Sequence, residues 1–425
     1  MTGRRMSPPI ANFQRLLAAV VALAVVFTEA SAFAQYPLLP LTTVDRGVEQ
    51  AEWLGTDPAG KLLFAAAKTG DQTEGEPVVV AAGDLVSWGH PRDRGRGTYV
   101  VLVDGGMLAV ETVSTDAENL QCTSVAFGPR TFALPNVRGI VFSGSGGASA
   151  RARMFDAVLR GTQGDRDRLV TAGDDELTGT INSIDFRGVT MQTSLGPVVM
   201  ELGKTAYVVF NPALAAPVAA SKPGEVRTLV GLTDGSQLVC SGITEDADRV
   251  QLKLAAGPEA GAGPPWELGR SEAYFLQTVT GGATTYLSDL EPAGYRHVPY
   301  LERSWPYATD RSVGGGPLRA GGKTYLKGIA MHSTARLSFE IPPGKKRFAA
   351  SIAIDDEAQG RGSVTFRVFV DKEQRFQSEV VRGGELPKPI EVDVSGGSTL
   401  SLVVDFADHG DEQDHADWLN ARFLP

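Results

Sequence analysis

Residues 363–371 read Ser-Val-Thr-Phe-Arg-Val-Phe-Val-Asp, and the alternation in them decides the fold class. Val364, Phe366, Val368 and Val370 fall on one face of an extended chain, with Thr365, Arg367 and Asp371 on the other. A period of two marks a half-buried strand, because successive side chains point to opposite faces. The same pattern recurs at Leu337, Phe339 and Ile341, again from Phe348 to Ile354, and again from Leu400 to Phe406. Several such strands joined by Gly and Pro turns predict an antiparallel β-sandwich of about 140 residues.

Working upstream, residues 45 to 280 carry shorter strands in a degenerate repeat. One copy starts Tyr99-Val-Val-Leu-Val-Asp-Gly-Gly-Met-Leu108 and closes on Pro135–Phe142. A second runs from Arg168 to Phe210, and a third from Val230 through Asp234-Gly235 to Phe275. A weaker first copy spans Gly60 to Trp88. Each copy reads as a strand, an Asp/Gly turn and further short strands, which suits a small Sm-like or SH3-like barrel. The predicted class is therefore all-β: repeated small barrels, then a β-sandwich. One helix is expected at 148–160, with Met154, Phe155 and Val158 on its apolar side. The Gly/Ala/Pro stretch Ala255–Pro265 reads as a linker inside the last repeat. The expected divisions are repeats at 45–145, a connecting helix at 146–163, repeats at 165–278 and the sandwich at 284–425.

The first residues have a different purpose. Arg4, Arg5 and Arg15 precede or flank the apolar run Leu16–Phe27, and Ala32-Phe33-Ala34 supplies a small-residue cleavage site. That is the layout of a signal peptide over 1–34, and the run is shorter than the roughly 20 residues needed to span a bilayer. Export to the periplasm, cell surface or exterior is expected, with no membrane span after signal removal. The 425 residues hold 40 Lys+Arg against 50 Asp+Glu, a net charge of −10. Such a balance offers no footprint for nucleic acid or an anionic membrane. Cys122 and Cys240 are the only cysteines, and nothing local decides whether they pair.

Six segments in order give the last third a family likeness: Tyr286–Leu290, Asp310-Arg311-Ser312, Gly322–Ser333, Ile354–Glu357, Gly362–Val368 and Asp414–Trp418. Residues 284–424 resemble the NPCBM family, also called carbohydrate-binding module family 51. The resemblance implies a galactose-binding-like jelly roll that recognises sugars, often as an appendage of glycoside hydrolases. Glu291-Pro292 stand where the family often carries an aromatic.

A sugar offers dense hydroxyls and an apolar face, so its site wants polar groups beside an aromatic plate. Trp305, Asp310, Arg311, His332, Asp414 and His415 are the residues expected to converge for carbohydrate binding. The plainer alternative is a salt-bridged turn at Asp310-Arg311 and a packing role for Trp305; Trp418 reads equally well as core. His90, alone in a Gly/Arg-rich connection, reads as a solvated loop residue. Asp405, Asp408, Asp411 and Asp417 read either as a calcium loop, since Ca²⁺ takes 6–8 oxygen ligands, or as a solvated acidic loop. No cofactor is required. Paired carboxylates for glycoside hydrolysis could come from Asp355–Glu357 and the same acidic run, but the repeats contain no catalytic constellation. Three functions follow: a non-catalytic carbohydrate-binding protein on a β-repeat scaffold, part of a glycoside hydrolase, or a cell-envelope protein-interaction module.

Overall fold

A computed structural model describes residues 37–67, 77–92, 95–144, 147–218, 224–246, 249–255, 262–300 and 304–425. The expected signal segment 1–34 and most of the 255–265 linker lie outside these residues. The structure is nearly all β, as the sequence pattern predicts.

Among the described residues, twenty strands between Leu39 and Thr280 divide into four units of identical topology. The first unit comprises Leu39–Thr43, Glu49–Thr56, Leu62–Ala66, Val78–Val80 and Leu85–Gly89. The others run over Thr98–Val141, Asp167–Val209 and Arg227–Thr280. In each, four strands form an antiparallel meander, and the fifth returns to pair with the first. A single 3₁₀ turn precedes every fifth strand: Ala82–Asp84, Leu134–Asn136, Leu202–Lys204 and Arg270–Glu272. The first unit begins at Leu39, ahead of the expected residue 45, and is complete where the sequence shows only a weak copy.

Local chemistry explains the recurrence. In the second unit Asp104 accepts a bond from Gly106 N (2.9 Å), and in the fourth Asp234 accepts one from Ser236 N (2.8 Å). The glycines after them, Gly105 and Gly235, sit at φ +90° and +95°, where an L side chain is strained. The second strand is the longest of each unit, and each carries a register shift, after Trp53, Val110, Ile181 and Cys240. A bulge bends and twists a strand, so one strand can serve both sides of a small barrel.

The units join through their fifth strands. Leu85–Gly89 pairs with Ala273–Thr280, coupling units one and four. Val137–Val141 pairs with Thr205–Val209, coupling units two and three. One continuous apolar core, including Trp53, Phe64, Trp88, Phe132, Val208 and Leu276, fills the interior. Cys122 and Cys240 are both buried and unpaired, in the second and fourth units, and burial pushes the Cys122 thiol up to about 12. The helix Ala148–Leu159 links units two and three. It buries Phe155 and Val158, but the third inward residue is Arg151 rather than Met154. The Arg151 guanidinium donates to the carbonyls of Phe142 (3.0 Å) and Gly97 (2.8 Å), which offsets its desolvation.

The last third is a sandwich of two antiparallel sheets. One holds Ala308–Thr309, Gly328–His332, His415–Leu424, Arg347–Ile354 and Lys388–Asp393, in that order. The other holds Gly294–His297, Ala335–Glu340, Thr399–Phe406, Ser363–Val370 and Glu373–Gln377. Val364, Phe366, Val368 and Val370 all face the core between them. Trp418 is fully buried there, edge-on to Phe366 with ring centres 4.9 Å apart. The sandwich rests on units one and four: Tyr286 Oη accepts from Gln277 Nε2 (3.1 Å), and Arg347 donates to the Val44 carbonyl (2.9 Å). His90 is part of this junction and not a solvated loop residue. Its ring lies 5.2 Å from that of Tyr325, and burial lowers its pKa to about 4.

A Cβ at Gly139 would run into the Val208 carbonyl oxygen on the strand that joins units two and three. Gly139→Ala should therefore lower unfolding stability by about 1–3 kcal/mol, as overpacking does. Gly203→Ala, with nothing within 4 Å of its Cβ, is the matched control and should be near neutral in the same urea titration.

Candidate functional site

The site is built on two neighbouring strands. In the pairing of Gly328–His332 with His415–Leu424, Ile329 and Met331 face the core with Ala416 and Trp418. The alternate residues, His332 and His415, are therefore left on the outer face of the sheet, directly opposite one another. Their ring centres are 5.8 Å apart.

Trp305 covers this pair. Its ring lies parallel to His332, 4.6 Å between centres with planes 6° apart, and 5.8 Å from His415. Two bonds hold its backbone. Tyr295 Oη donates to the Trp305 carbonyl (2.6 Å), and Trp305 N donates to His297 Nδ1 (3.3 Å). With Nδ1 accepting, His297 Nε2 carries the proton and donates to the Ser333 carbonyl (3.1 Å). That same carbonyl accepts from His332 Nδ1 (3.0 Å), which leaves Nε2 of His332 as the lone-pair nitrogen. Burial lowers the His332 pKa; the bond to Ser333 opposes this, and the neighbouring His415 and His297 add to it.

Two carboxyl groups support the histidines from behind. Glu357 accepts from His415 Nδ1 (2.7 Å), Ser312 Oγ (2.8 Å) and Gly314 N (3.1 Å). Burial alone would raise its pKa, but these donors hold it below the usual glutamate value. Asp414 is fully buried and accepts from Ser333 Oγ (2.5 Å) and Ser363 N (2.8 Å). Burial dominates there and lifts its pKa to about 6. Tyr300, further along the segment that carries His297, is exposed, 5.9 Å from the Phe406 ring and against Gly410.

The structure thus gathers Trp305, His332 and His415, with Asp414 behind them. It does not gather Asp310 and Arg311. Asp310 accepts from Gly328 N (3.1 Å) and pairs with Lys327, at the opposite end of the strand that ends in His332. Four residues of strand put these ends roughly 13 Å apart. Arg311 turns towards Asp156 of the helix, at 3.6 Å. His297 and Glu357 also join the site; a histidine at a strand end carries little signal, and the Asp355–Glu357 run reads as candidate paired carboxylates and not as support for a histidine.

The acidic residues expected to share a calcium ion are engaged separately. Asp405 pairs with Arg367, and Asp408 with Arg382. Asp417 is buried under the hairpin that carries Tyr325, beside Asp355, and burial drives its pKa well above the ordinary value. Asp411 N-terminally flanks the Asp414 turn, its carbonyl accepting Asp414 N (3.4 Å). Among the described residues no group of three or more His, Cys, Asp or Glu side chains is placed to hold a metal.

Residues 283–424 match the family described as the NPCBM/NEW2 domain. A putative endo-alpha-N-acetylgalactosaminidase of Renibacterium salmoninarum is 31% identical over 147 residues, 33% of this chain and 9% of that protein. An alpha-1,3-galactosidase B of Akkermansia muciniphila is 37% identical over 115 residues, 26% of this chain and 14% of that protein. The chain thus aligns with only a small part of either relative. Among solved structures, CBM51 from Clostridium perfringens GH95 in complex with methyl-galactose is 24% identical. It covers 33% of this chain and 99% of its own, with a TM-score of 0.31. The last third is thus similar to the NPCBM/NEW2 domain.

Asp414 gives the site a stability signature. With its folded pKa near 6 and an unfolded value near 3.8, the folded state binds more protons between these pH values, so its contribution falls as pH rises through them. Asp414→Asn keeps an acceptor for Ser363 N and a partner for Ser333 Oγ. The stability difference between wild type and Asp414→Asn should change by about 1–2 kcal/mol between pH 4 and pH 7. Urea unfolding across that range reads it, and a pH-independent difference would show that Asp414 keeps an ordinary pKa.

Proposed function

We propose that this is an exported, non-catalytic carbohydrate-binding protein whose C-terminal sandwich holds a galactose-type sugar at the Trp305–His332–His415 face. The four barrel units are its scaffold. The observation that carries the reading is the half-buried Trp305 ring held parallel to His332, with two more histidines around it. An aromatic face matches the apolar side of a pyranose, and imidazole nitrogens match its hydroxyls. Support for the sugar class comes from the relatives, whose names concern galactose and N-acetylgalactosamine linkages. Export rests on the basic and apolar pattern of residues 1–34.

The hydrolase reading gains nothing from the carboxyl groups nearest the site. Glu357 and Asp414 each accept bonds from backbone and side-chain donors, as groups that hold a turn in place do. Glycoside hydrolysis needs two carboxyl groups facing across a scissile bond.

The test is a glycan array on the chain from residue 35 onward, followed by titration with the best sugar. His332→Ala should weaken binding by about 1–3 kcal/mol through the unpaired hydroxyl. Trp305→Ala should abolish it. Because burial lowers the His332 pKa, the acceptor nitrogen stays neutral to below the usual 6.5. Binding should therefore persist to lower pH than an ordinary histidine would allow, and fall only under more acidic conditions. Unchanged affinity in both variants would remove this face as the sugar site.

A further inference from the structure

A cavity lies where the helix Ala148–Leu159 faces the loop and hairpin of residues 310–326. Its volume is about 280 Å³, just under the roughly 300–1,000 Å³ of small-molecule sites, so it has room for one sugar ring and not a chain. Five arginines line it, Arg92, Arg151, Arg160, Arg311 and Arg319, against two aspartates, Asp156 and Asp310. On a chain with a net charge of −10, that is a concentrated positive wall. Arg319 is already engaged by a partner of its own, and the two aspartates do not match the charge of the other four. Asp156 is shared by Arg160 (2.5 Å) and Arg311 (3.6 Å), and Asp310 is already matched by Lys327 (3.1 Å).

Two buried polar atoms in the same wall lack partners. Gln237 is 2% exposed, and its Oε1 has none while its amide bonds Tyr274. Arg151 is 3% exposed; its two terminal nitrogens bond Phe142 and Gly97, and its Nε has none. A buried acceptor and a buried donor left unmade are costly, and a ligand carrying both an anionic group and hydroxyls would satisfy them. Ala148, Ala152 and Leu159 give the helix side an apolar strip for ring carbons.

We infer that this cavity between the barrel units and the sandwich is a second binding site, for an acidic monosaccharide bearing a carboxylate or a sulfate. The arginines supply planar, multidentate donors for the anion. Gln237 Oε1 accepts a hydrogen bond from a sugar hydroxyl, which a bare anion cannot offer. The site uses none of Trp305, His332 or His415, and it exists only where the repeats and the sandwich meet.

The test is calorimetric titration of the chain from residue 35 onward with D-galacturonate and with D-galactose 6-sulfate. Saturable binding of either is expected, weaker at higher salt. Arg311→Gln, at a half-exposed position, should weaken that binding about ten-fold or more. His332→Ala should leave it unchanged. Binding of both acidic sugars that is absent, or indifferent to Arg311→Gln, overturns the inference. So does loss in His332→Ala, which would assign the acidic sugar to the other face. Inorganic sulfate or acetate displacing the sugars at equal concentration would mean an anion site without sugar recognition, and would also overturn it.

Discussion

The register between Gly328–His332 and His415–Leu424 is the constraint on which the site depends. Trp418 and Ile329 occupy opposed core positions, and a slip of one residue would turn both out to solvent and drive His332 and His415 inwards. Burying the largest side chain of the sandwich core therefore aligns two histidines on the outer face. Trp305 then needs only a short loop, pinned by Tyr295 and His297, to lie over them. Binding residues on loops over a rigid sheet are a common arrangement, and here the rigidity comes from one tryptophan in the core.

A different economy governs the barrels. A single five-stranded unit of this size would expose the edge of its fifth strand, which invites pairing with other chains. The four units satisfy those edges among themselves, one with four and two with three. The interior consequently becomes one core shared by all the units. The pairing also brings the helix and units one and four against the sandwich, where Tyr286, Arg347 and His90 make the junction. The positive cavity forms at that seam because neither half alone contributes all its walls.

Charge is used unevenly. Most acidic residues of the sandwich pair with an arginine or cap a turn, as Asp405, Asp408 and Glu357 do. Asp414 and Asp417 are buried where desolvation outweighs the available donors, so both favour the protonated form. Such groups cost stability in neutral solution. Asp414 holds Ser333, whose carbonyl in turn orients two of the site's histidines.

Much of this was legible in the order of residues. Period-two alternation marks the strands of the sandwich, because a half-buried strand imposes it regardless of neighbours. Asp/Gly turns mark the repeats, because left-handed backbone is a local demand. The separate motifs around His332 and Asp414–Trp418 carried the family likeness and three of the site's central side chains. What the order of residues left undetermined was every relation between segments distant along the chain. Asp310-Arg311 and Trp305 lie close in sequence, yet one serves the Gly328 end of a strand and the other its His332 end. Asp417 and Asp408 belong to one acidic run, yet a buried strand takes the first and an exposed turn the second. Alternation and turn chemistry act within a few residues and so are written in the sequence; convergence, burial and the pairing of whole units depend on which surfaces exclude water together, and only the tertiary structure decides that.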